Sequence, residues 1–194
     1  APVVSSFDNG DILGTGVRAA DLATDRKTVA IFGRNGTGKT TLACQGEGPI
    51  ALISVEPAPT GGARSVANRK DVTVYQVAAK YLIGRDGRPE AVKGSEKVLA
   101  VVEAIRRRSP CPFRKVVLDG ITSWSDVILG EVLGLDYEDM PAVLGLGKVS
   151  ADQYVERGER LIRYLNPFFD LPCDLWVIAQ ERAHTPPKIA NVTR

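Results

Sequence analysis

The sequence predicts an α/β fold in which a mainly parallel sheet carries helices on both faces. Short apolar segments alternate with helix-like segments from Thr28 onward, which is the pattern of strands that are buried on both sides. In addition, the residues from Gly33 to Thr40 fit the pattern G-x-x-x-x-G-K-[ST] and lie between an expected strand and an expected helix. A strand, glycine loop and helix in this order are typical of the P-loop, which binds polyphosphate.

The length and composition fit one soluble domain. The 194 residues are 44% hydrophobic and 25% charged, which is enough for one full core but too little for two comfortable domains. The net charge of +2 generates no strong field that would draw the whole protein to DNA or to an anionic membrane. Nucleic-acid binding would therefore need a local basic surface.

The cysteines and the single histidine exclude several kinds of site. Cys44, Cys111 and Cys173 are far apart and lack metal-ligand spacing, which indicates reduced thiols in a cytosol-like compartment. Because His184 is the only histidine, neither a histidine-based zinc site nor a catalytic triad is expected. The sequence contains no signal peptide and no apolar run of membrane-spanning length, so we expect a cytoplasmic protein without a membrane partner.

The chain is expected to divide into an N-terminal arm, residues 1–27, and a core, residues 28–194. The arm is polar and rich in turn residues. Its segment Gly14–Ala19 has the spelling G-x-G-x-x-A, but no apolar strand precedes it, so we interpret it as part of the arm and not as a dinucleotide site. Because the chain ends soon after an expected core strand, we also expect it to be trimmed from a longer protein.

Within the core, apolar segments and helix signals follow one another in order. We expect strands at Thr28–Phe32, Ile50–Val55, Val72–Val77, Lys115–Asp119 and Asp174–Ala179. We expect helices at Lys39–Gln45, Ser95–Arg108, Trp124–Leu133 and Ala151–Leu165. Ser95 is the expected N-cap of the second helix. Residues 78–94 are expected to form an irregular excursion with a hairpin tip at Gly84–Pro89, and residues 134–149 a loop.

The P-loop predicts the contacts of a bound nucleotide. Its glycines let the backbone approach a polyphosphate closely, and its successive N–H groups point at the anion together with the helix N-terminus. Lys39 is expected to reach the β- and γ-phosphates of ATP, and the Thr40 hydroxyl to bind Mg²⁺. The expected ATP-binding residues are Gly33, Arg34, Asn35, Gly36, Thr37, Gly38, Lys39, Thr40 and Thr41.

Acidic side chains at the ends of two apolar strands suit phosphate chemistry. In a parallel sheet the carboxyl ends of the strands lie at one edge, next to the P-loop. Asp119 fits the aspartate that holds Mg²⁺ in P-loop enzymes, although an acid at a strand end also commonly begins a turn. Gly120 stands where many ATPases carry a catalytic glutamate. Glu56 is therefore the candidate general base, with a solvated strand-end carboxylate as the alternative.

Gln180 ends the last apolar strand and is the candidate sensor of the γ-phosphate. At this position its amide could hydrogen-bond the γ-phosphate or the attacking water. Glu181 and Arg182 are alternatives, because a strand end is located from sequence only to within a residue or two. Lys39, Glu56 and Gln180 are thus the expected catalytic residues.

Four segments together resemble the ATPase core of the RecA type. The similarity is closest to a phage nucleotide-binding branch that includes RecA-like single-strand annealing proteins. The segments are Gly33–Thr41, Ser54–Glu56, Val116–Ser123 and Trp176–Glu181. The segment Asp152–Leu161 also resembles the family's helix before its last strand. The resemblance spans residues 28–184 and implies a RecA-like P-loop NTPase fold.

The resemblance implies ATP hydrolysis coupled to single-stranded DNA in recombination, in a phage or bacterial protein that works as a homo-oligomer. A neighbouring subunit would supply a finger residue, for which the candidates are Arg85, Arg88, Arg157 and Arg182. In RecA-type proteins the loop after the glutamine-bearing strand contacts DNA, so Arg182 and Lys188 are the expected DNA contacts. That loop offers no aromatic side chain for base stacking, and the acidic segment Asp136–Pro141 would repel a DNA backbone.

Three alternatives to a recombination ATPase stay open at the level of the sequence. A small-molecule kinase of the nucleoside type would use the same P-loop with an acceptor pocket and an arginine-bearing lid. A motor or DNA-packaging subunit would assemble into a ring and respond to duplex DNA. A nucleotide-gated scaffold would bind ATP without sustained turnover.

Overall fold

The computed structural model describes residues 26–55, 62–77, 94–134 and 149–181, together with the backbone of residues 82–83 and 89–90. The described strands are β1 (Thr28–Gly33), β2 (Ile50–Ser54), β3 (Val72–Gln76), β4 (Leu82–Ile83), β5 (Pro89–Glu90), β6 (Lys115–Asp119) and β7 (Asp174–Gln180). The described helices are α1 (Lys39–Ala43), a 3₁₀ helix (Gly62–Val66), α2 (Gly94–Arg106), α3 (Ile121–Leu133) and α4 (Ala151–Phe169).

Five of the described strands form one parallel sheet. Their order across the sheet is β1-β7-β6-β2-β3, and each neighbouring pair runs parallel. Strand β7 therefore separates the strand before the P-loop from β6, which ends on Asp119. The predicted α/β class with a parallel sheet is confirmed, and all carboxyl ends of the five strands lie at one edge.

Each face of the sheet has its own apolar core. On one face, Ala51 and Ile53 of β2 pack with side chains of α2, α3 and α4. On the opposite face, Ile50 and Leu52 pack with α1 and the 3₁₀ helix; we call this the α1 face. Because alternate residues of a strand point to opposite faces, these clusters show which strand residues face the P-loop helix. The prediction of helices on both faces is confirmed.

Helix α2 begins at Gly94, so the prediction that Ser95 is its N-cap is wrong. The buried Ser95 hydroxyl accepts a hydrogen bond from Trp124 Nε1 of α3 at 3.0 Å. Its backbone N–H donates to the Glu131 carboxylate, also on α3, at 3.1 Å. The Ser95 hydroxyl, which the local sequence predicts to cap α2, thus makes a tertiary hydrogen bond instead.

Further helix boundaries differ from the prediction, since α1 ends at Ala43 instead of Gln45 and α2 at Arg106 instead of Arg108. Helix α3 begins at Ile121 instead of Trp124, and α4 continues to Phe169, beyond the predicted end at Leu165. Helix α4 includes Pro167, which removes one backbone donor, but the next side chain is 1% exposed and its burial offsets this cost. Although α4 has 19 residues, neither it nor any other described helix is long and apolar enough to cross a membrane.

The excursion between β3 and α2 contains a hairpin, as predicted. Its strands β4 and β5 pair antiparallel. The hairpin tip, the predicted loop at 135–148 and residues 1–25 of the arm, with Gly14–Ala19, lie outside the described residues. Arg26 and Lys27, which close the predicted arm, hydrogen-bond to the start of β7 and the turn before it.

Two cations hold the C-terminal end of helix α1. The helix has only five residues, and so short a helix is unstable without tertiary contacts. Lys115 of β6 donates from Nζ to the carbonyl oxygens of Ala43, at 3.1 Å, and Gln45, at 2.7 Å. Arg69 donates to two further carbonyl oxygens of the same turn, both at 3.0 Å. Positive charge is also favourable at a helix C-terminus because of the helix dipole.

We predict that Lys115→Met destabilises the protein. Methionine keeps the length of the side chain but removes both charge-assisted hydrogen bonds, so the free energy of unfolding should fall by about 1–2 kcal/mol. Urea unfolding measures the change. Lys70→Met, at an exposed lysine, is the control and should change stability by less than about 0.5 kcal/mol. Equal losses in the two variants would show that Lys115 does not support α1.

Candidate functional site

The candidate site lies at the carboxyl edge of the sheet, on the α1 face. Gly33 at the end of β1 is paired in register with Gln180 at the end of β7. Asp119 at the end of β6 is paired with Ser54 at the end of β2. Paired residues of neighbouring strands point to the same face, so Gln180, Asp119 and Ser54 all face α1. The parallel register therefore brings Asp119 and Gln180 to the P-loop, as the sequence predicts.

The P-loop, residues Gly33–Thr40, has the backbone that its glycines allow. Gly36 and Gly38 have φ angles of 75° and 79°, in the left-handed region that disfavours other residues. Thr37 Oγ1 donates to the Arg34 carbonyl at 2.9 Å and closes the turn. Gly38 is the N-cap of α1 and has no side chain with which to cap it. The first amides of the helix are thus available to an anion.

The Lys39 ammonium group lies over its own loop. Its Nζ donates to the Gly33 carbonyl at 2.9 Å and also to the Arg34 carbonyl. Both acceptors belong to the loop that would surround a phosphate. The Lys39 ammonium group therefore already lies beside the expected phosphate position. A bound phosphate would exchange these neutral acceptors for charged ones, which make stronger hydrogen bonds.

Thr40 and Asp119 form a buried polar pair behind the loop. Thr40 Oγ1 donates to Asp119 Oδ2 at 2.7 Å, and the two residues are only 8% and 2% exposed. Hydroxyl and carboxylate oxygens are the ligands that Mg²⁺ prefers, and Mg²⁺ usually keeps several waters when bound by one or two protein groups with phosphate. The pair therefore has suitable chemistry for a magnesium ion beside the P-loop.

Ser54 is a further polar residue of this site that sequence reasoning missed. It is fully buried next to Asp119, and its Oγ has no hydrogen-bond partner within the described part of the chain. A buried hydroxyl without a partner is costly unless water or a ligand supplies one. A magnesium-bound water would be such a partner, which agrees with the chemistry of the Thr40–Asp119 pair. Ser54 begins one of the segments that resemble the RecA-type core, but no sequence signal assigned its hydroxyl a role.

The backbone of Gln180 is fixed by Thr122 of α3. The Gln180 N–H donates to Thr122 Oγ1 at 2.9 Å, and the same hydroxyl lies 3.3 Å from the Gln180 carbonyl oxygen. The next residue, Glu181, donates its N–H to the Gly33 carbonyl at 3.0 Å and forms an ion pair with Arg34 at 3.5 Å. The end of β7 is thus connected to both α3 and the P-loop.

Several predicted site residues lie outside the described part of the chain. They are Glu56, Arg182 and Lys188, the acidic segment Asp136–Pro141, and the finger candidates Arg85 and Arg88. The remaining finger candidate, Arg157, lies on α4 and stacks over the Tyr154 ring at 5.0 Å. Thr41 and Asn35 are exposed on α1 and the loop.

Burial and charge shift the pKa of two groups around α1. Burial, reinforced by the nearby Asp119 carboxylate, raises the pKa of the Cys44 thiol to about 11, so this thiol stays protonated at neutral pH. The pKa of Asp71, by contrast, is lowered to about 2, chiefly by the hydrogen bond that it accepts from Arg69. Arg69 thereby joins β3 to the carbonyl groups at the end of α1.

Neither a protein-family model nor a curated protein matches this sequence. The functional assignment therefore depends on the chemistry and geometry of the site itself, with the resemblance of its motifs as a second argument.

We predict that Asp71→Asn lowers stability in a pH-dependent way. The pKa of Asp71 is about 2 in the folded state and about 3.9 in an unfolded chain. The stabilisation is therefore complete above about pH 4 and is lost as the pH falls toward about 2. Urea unfolding over this pH range should show a difference in the free energy of unfolding between wild type and variant. This difference should disappear on acidification.

Glu47→Gln is the control for the Asp71 experiment. Glu47 is 94% exposed and lies 3.8 Å from Arg114, so its replacement should have little effect on stability at any of these pH values. If the difference in the free energy of unfolding between wild type and Asp71→Asn stays constant between about pH 4 and about pH 2, the proposed role of the Arg69–Asp71 pair is contradicted.

Proposed function

We propose that this protein is a magnesium-dependent ATPase with a RecA-like P-loop core. The observation that carries the proposal is the buried hydrogen bond from Thr40 to Asp119, directly behind a loop with positive φ at Gly36 and Gly38. A glycine-rich turn without function would not need a lysine over its carbonyl groups. It would also not need a buried carboxylate hydrogen-bonded to Thr40, the helix residue after that lysine. The combination is what phosphoryl transfer requires, because catalysis there depends on positioning and charge stabilisation.

Each residue has a proposed task. The P-loop amides and Lys39 hold the β- and γ-phosphates, while Thr40 and Asp119 hold Mg²⁺, which when bound neutralises charge on those phosphates. Glu56 is the proposed general base for the attacking water. Gln180 faces the same edge beside Gly33 and is proposed to hydrogen-bond the γ-phosphate or that water.

The proposed use of the ATPase is in recombination, with single-stranded DNA as partner and a homo-oligomer that supplies a finger residue in trans. The resemblance to RecA-type proteins is the main support. A second support is the connection between Glu181 and Gly33, because Glu181 directly precedes the proposed DNA contact Arg182 in the sequence. DNA contacts made there could thus alter the geometry of the nucleotide site. We place this activity in a phage-infected or bacterial cytoplasm.

We predict that ATP hydrolysis depends on magnesium and is stimulated by single-stranded DNA. Lys39→Ala should reduce steady-state turnover at least about 100-fold, since it removes the charge at the phosphates. Lys70→Ala, at an exposed lysine away from the site, is the matched control. Duplex stimulation alone would favour a motor, and a burst of one turnover would favour a scaffold. Absence of magnesium-dependent ATP binding would contradict the proposal as a whole.

Glu56→Gln tests the proposed base. The amide keeps the size of the side chain but cannot accept a proton, so ATP binding should persist while turnover falls about 100-fold or more. Single-turnover hydrolysis and equilibrium nucleotide binding separate these two effects. Turnover close to that of wild type would remove Glu56 from the mechanism.

A second candidate function is phosphoryl transfer to a small acceptor. The observation that favours it is a cavity of about 350 Å³ between α3 and α4, lined by Ile121, Thr122, Ser125, Asp126, Arg157 and Leu161. Its size is typical of small-molecule sites, and its Thr122 hydroxyl hydrogen-bonds the backbone of Gln180. Hydroxyls, a carboxylate and a guanidinium in one cavity suit a polar acceptor.

We predict that nucleosides and nucleoside monophosphates do not become phosphorylated. The test is transfer of labelled γ-phosphate to a panel of such acceptors, with hydrolysis to free phosphate measured in parallel. Asp126→Asn tests the cavity, and Asp152→Asn, at an exposed acid of α4, is its control. If phosphate transfer to an acceptor is lost in the first variant and retained in the second, the protein is a kinase and the ATPase assignment is wrong. DNA-stimulated release of free phosphate without transfer supports the ATPase.

A further inference from the structure

Helix α4 has two apolar sides, and the neighbouring helices cover only one of them. The covered side packs on α2 and α3, where the ring of Tyr164 stacks with that of Trp124 at 6.1 Å between centroids. The other side carries three large apolar side chains that are more than half exposed, Val155 at 61%, Ile162 at 65% and Phe169 at 55%. A surface helix of a single domain normally has one apolar side, so the second side indicates a partner.

The exposed apolar residues of α4 form one continuous stripe. Val155, Ile162 and Phe169 follow one another at intervals of seven residues, about two helical turns, so they lie on the same side of the helix. The positions between them on this side are small, since Ala151 is exposed and a Cβ built on Gly158 would meet no atom within 4 Å. We call these five residues the α4 stripe. Steps of four and three residues along it are the spacing by which helices pair.

The α4 stripe lies on the side of the helix that faces β1, a strand at the edge of the described sheet. Phe169 of the stripe and Thr28 of β1 line the same cavity of about 180 Å³. Because Ile31 packs on the α1 face, its neighbour Phe32 points to the side of α4, and it is 70% exposed. The exposed apolar surface therefore includes the end of β1 as well as α4.

We propose that the α4 stripe binds the same stripe of a second copy of this chain, with the two helices antiparallel around a twofold axis at Ile162. Val155 and Phe169 are each seven residues from Ile162, so the smaller side chain of one copy lies opposite the larger side chain of the other. Such a contact is isologous, because both copies use the same surface. None of these residues belongs to the nucleotide site, so the dimer does not depend on the proposed ATPase activity.

Charge complementarity favours a second copy as the partner. Glu159 and Arg163 are exposed and flank the same side of the stripe, at about 60° and about 100° around the helix from Ile162. In the antiparallel pair, Glu159 lies within about 3 Å, measured along the helix axis, of the partner's Arg163. The twofold axis repeats this contact, so the dimer contains two such ion pairs. Arg160, in contrast, pairs with Glu156 of its own helix.

Sedimentation equilibrium of the full chain without nucleotide tests the dimer. Wild type should be dimeric at about 100 μM. Ile162→Glu should weaken dimerisation at least about 100-fold, because two carboxylates would then face each other across an apolar contact. Val74→Glu is the matched control, since Val74 is an exposed apolar residue of β3, at the opposite edge of the sheet, and this variant should dimerise like wild type.

Exchange of the two flanking charges tests the orientation of the helices. Glu159→Arg and Arg163→Glu each place like charges across the axis twice, so each single variant should weaken dimerisation about tenfold. The double variant restores both ion pairs and should dimerise like wild type. If the double variant dimerises no better than the single variants, the antiparallel arrangement is wrong.

Three results of the sedimentation experiment would overturn the proposal. Wild type that stays monomeric at about 100 μM excludes the dimer. A wild-type dimer that persists in Ile162→Glu, or that is lost equally in Val74→Glu, is formed by another surface. Monomeric wild type whose free energy of unfolding falls more in Ile162→Glu than in Val74→Glu would show that the chain itself covers the α4 stripe. Each of these results leaves the proposed ATPase activity standing.

Discussion

The hydrogen bond between Thr40 and Asp119 joins the P-loop helix to a central strand of the sheet, and the arrangement of the site depends on it. Helix α1 is too short to be stable alone. The Thr40 side chain holds its N-terminal end, and Lys115 and Arg69 hold its C-terminal carbonyl groups. Lys115 and Asp119 are the first and last residues of β6, so one strand fixes both ends of the helix that would carry the phosphates.

Burial gives this polar pair its chemical significance. Asp119 and Ser54 are almost fully buried at the ends of adjacent strands whose other residues, apart from Lys115, are apolar, and polar groups are costly to bury unless they are paired. Asp119 is paired with Thr40, whereas the Ser54 hydroxyl has no partner among the described residues. The proposed magnesium ion and its waters would supply the partner that the Ser54 hydroxyl lacks among the described residues.

The neighbours of the pair explain how nucleotide chemistry could be connected to the rest of the molecule. Gln180 and Glu181 connect the P-loop to the end of β7 and, through Thr122, to α3. On the other side, Gly62 connects the pair to the 3₁₀ helix after β2. A change in occupancy between these contacts would therefore be felt both at the end of β7 and in the 3₁₀ helix.

The sequence by itself determined the α/β class, the order of the strands along the chain and the P-loop with Asp119 and Gln180 near it. The predicted strands and the placement of these residues succeeded because buried parallel strands are continuously apolar and because the positive φ angles at Gly36 and Gly38 require glycine. The carboxyl ends of parallel strands must then meet at one edge, whatever the detailed packing. The extension of α4 past Pro167 departed from this local reasoning, because burial in the core outweighed the loss of one backbone donor.

Only the tertiary structure decided which partners the polar side chains have. Ser95 is a residue type that favours the N-cap position, yet its hydroxyl accepts a hydrogen bond from Trp124 of another helix. Gly62, Arg69 and Lys115 belong to no motif, and their contacts are with residues far away in the sequence. The physical reason is that a local pattern reports backbone preference and burial, whereas a hydrogen bond or a close approach between distant segments exists only after the sheet has set their register.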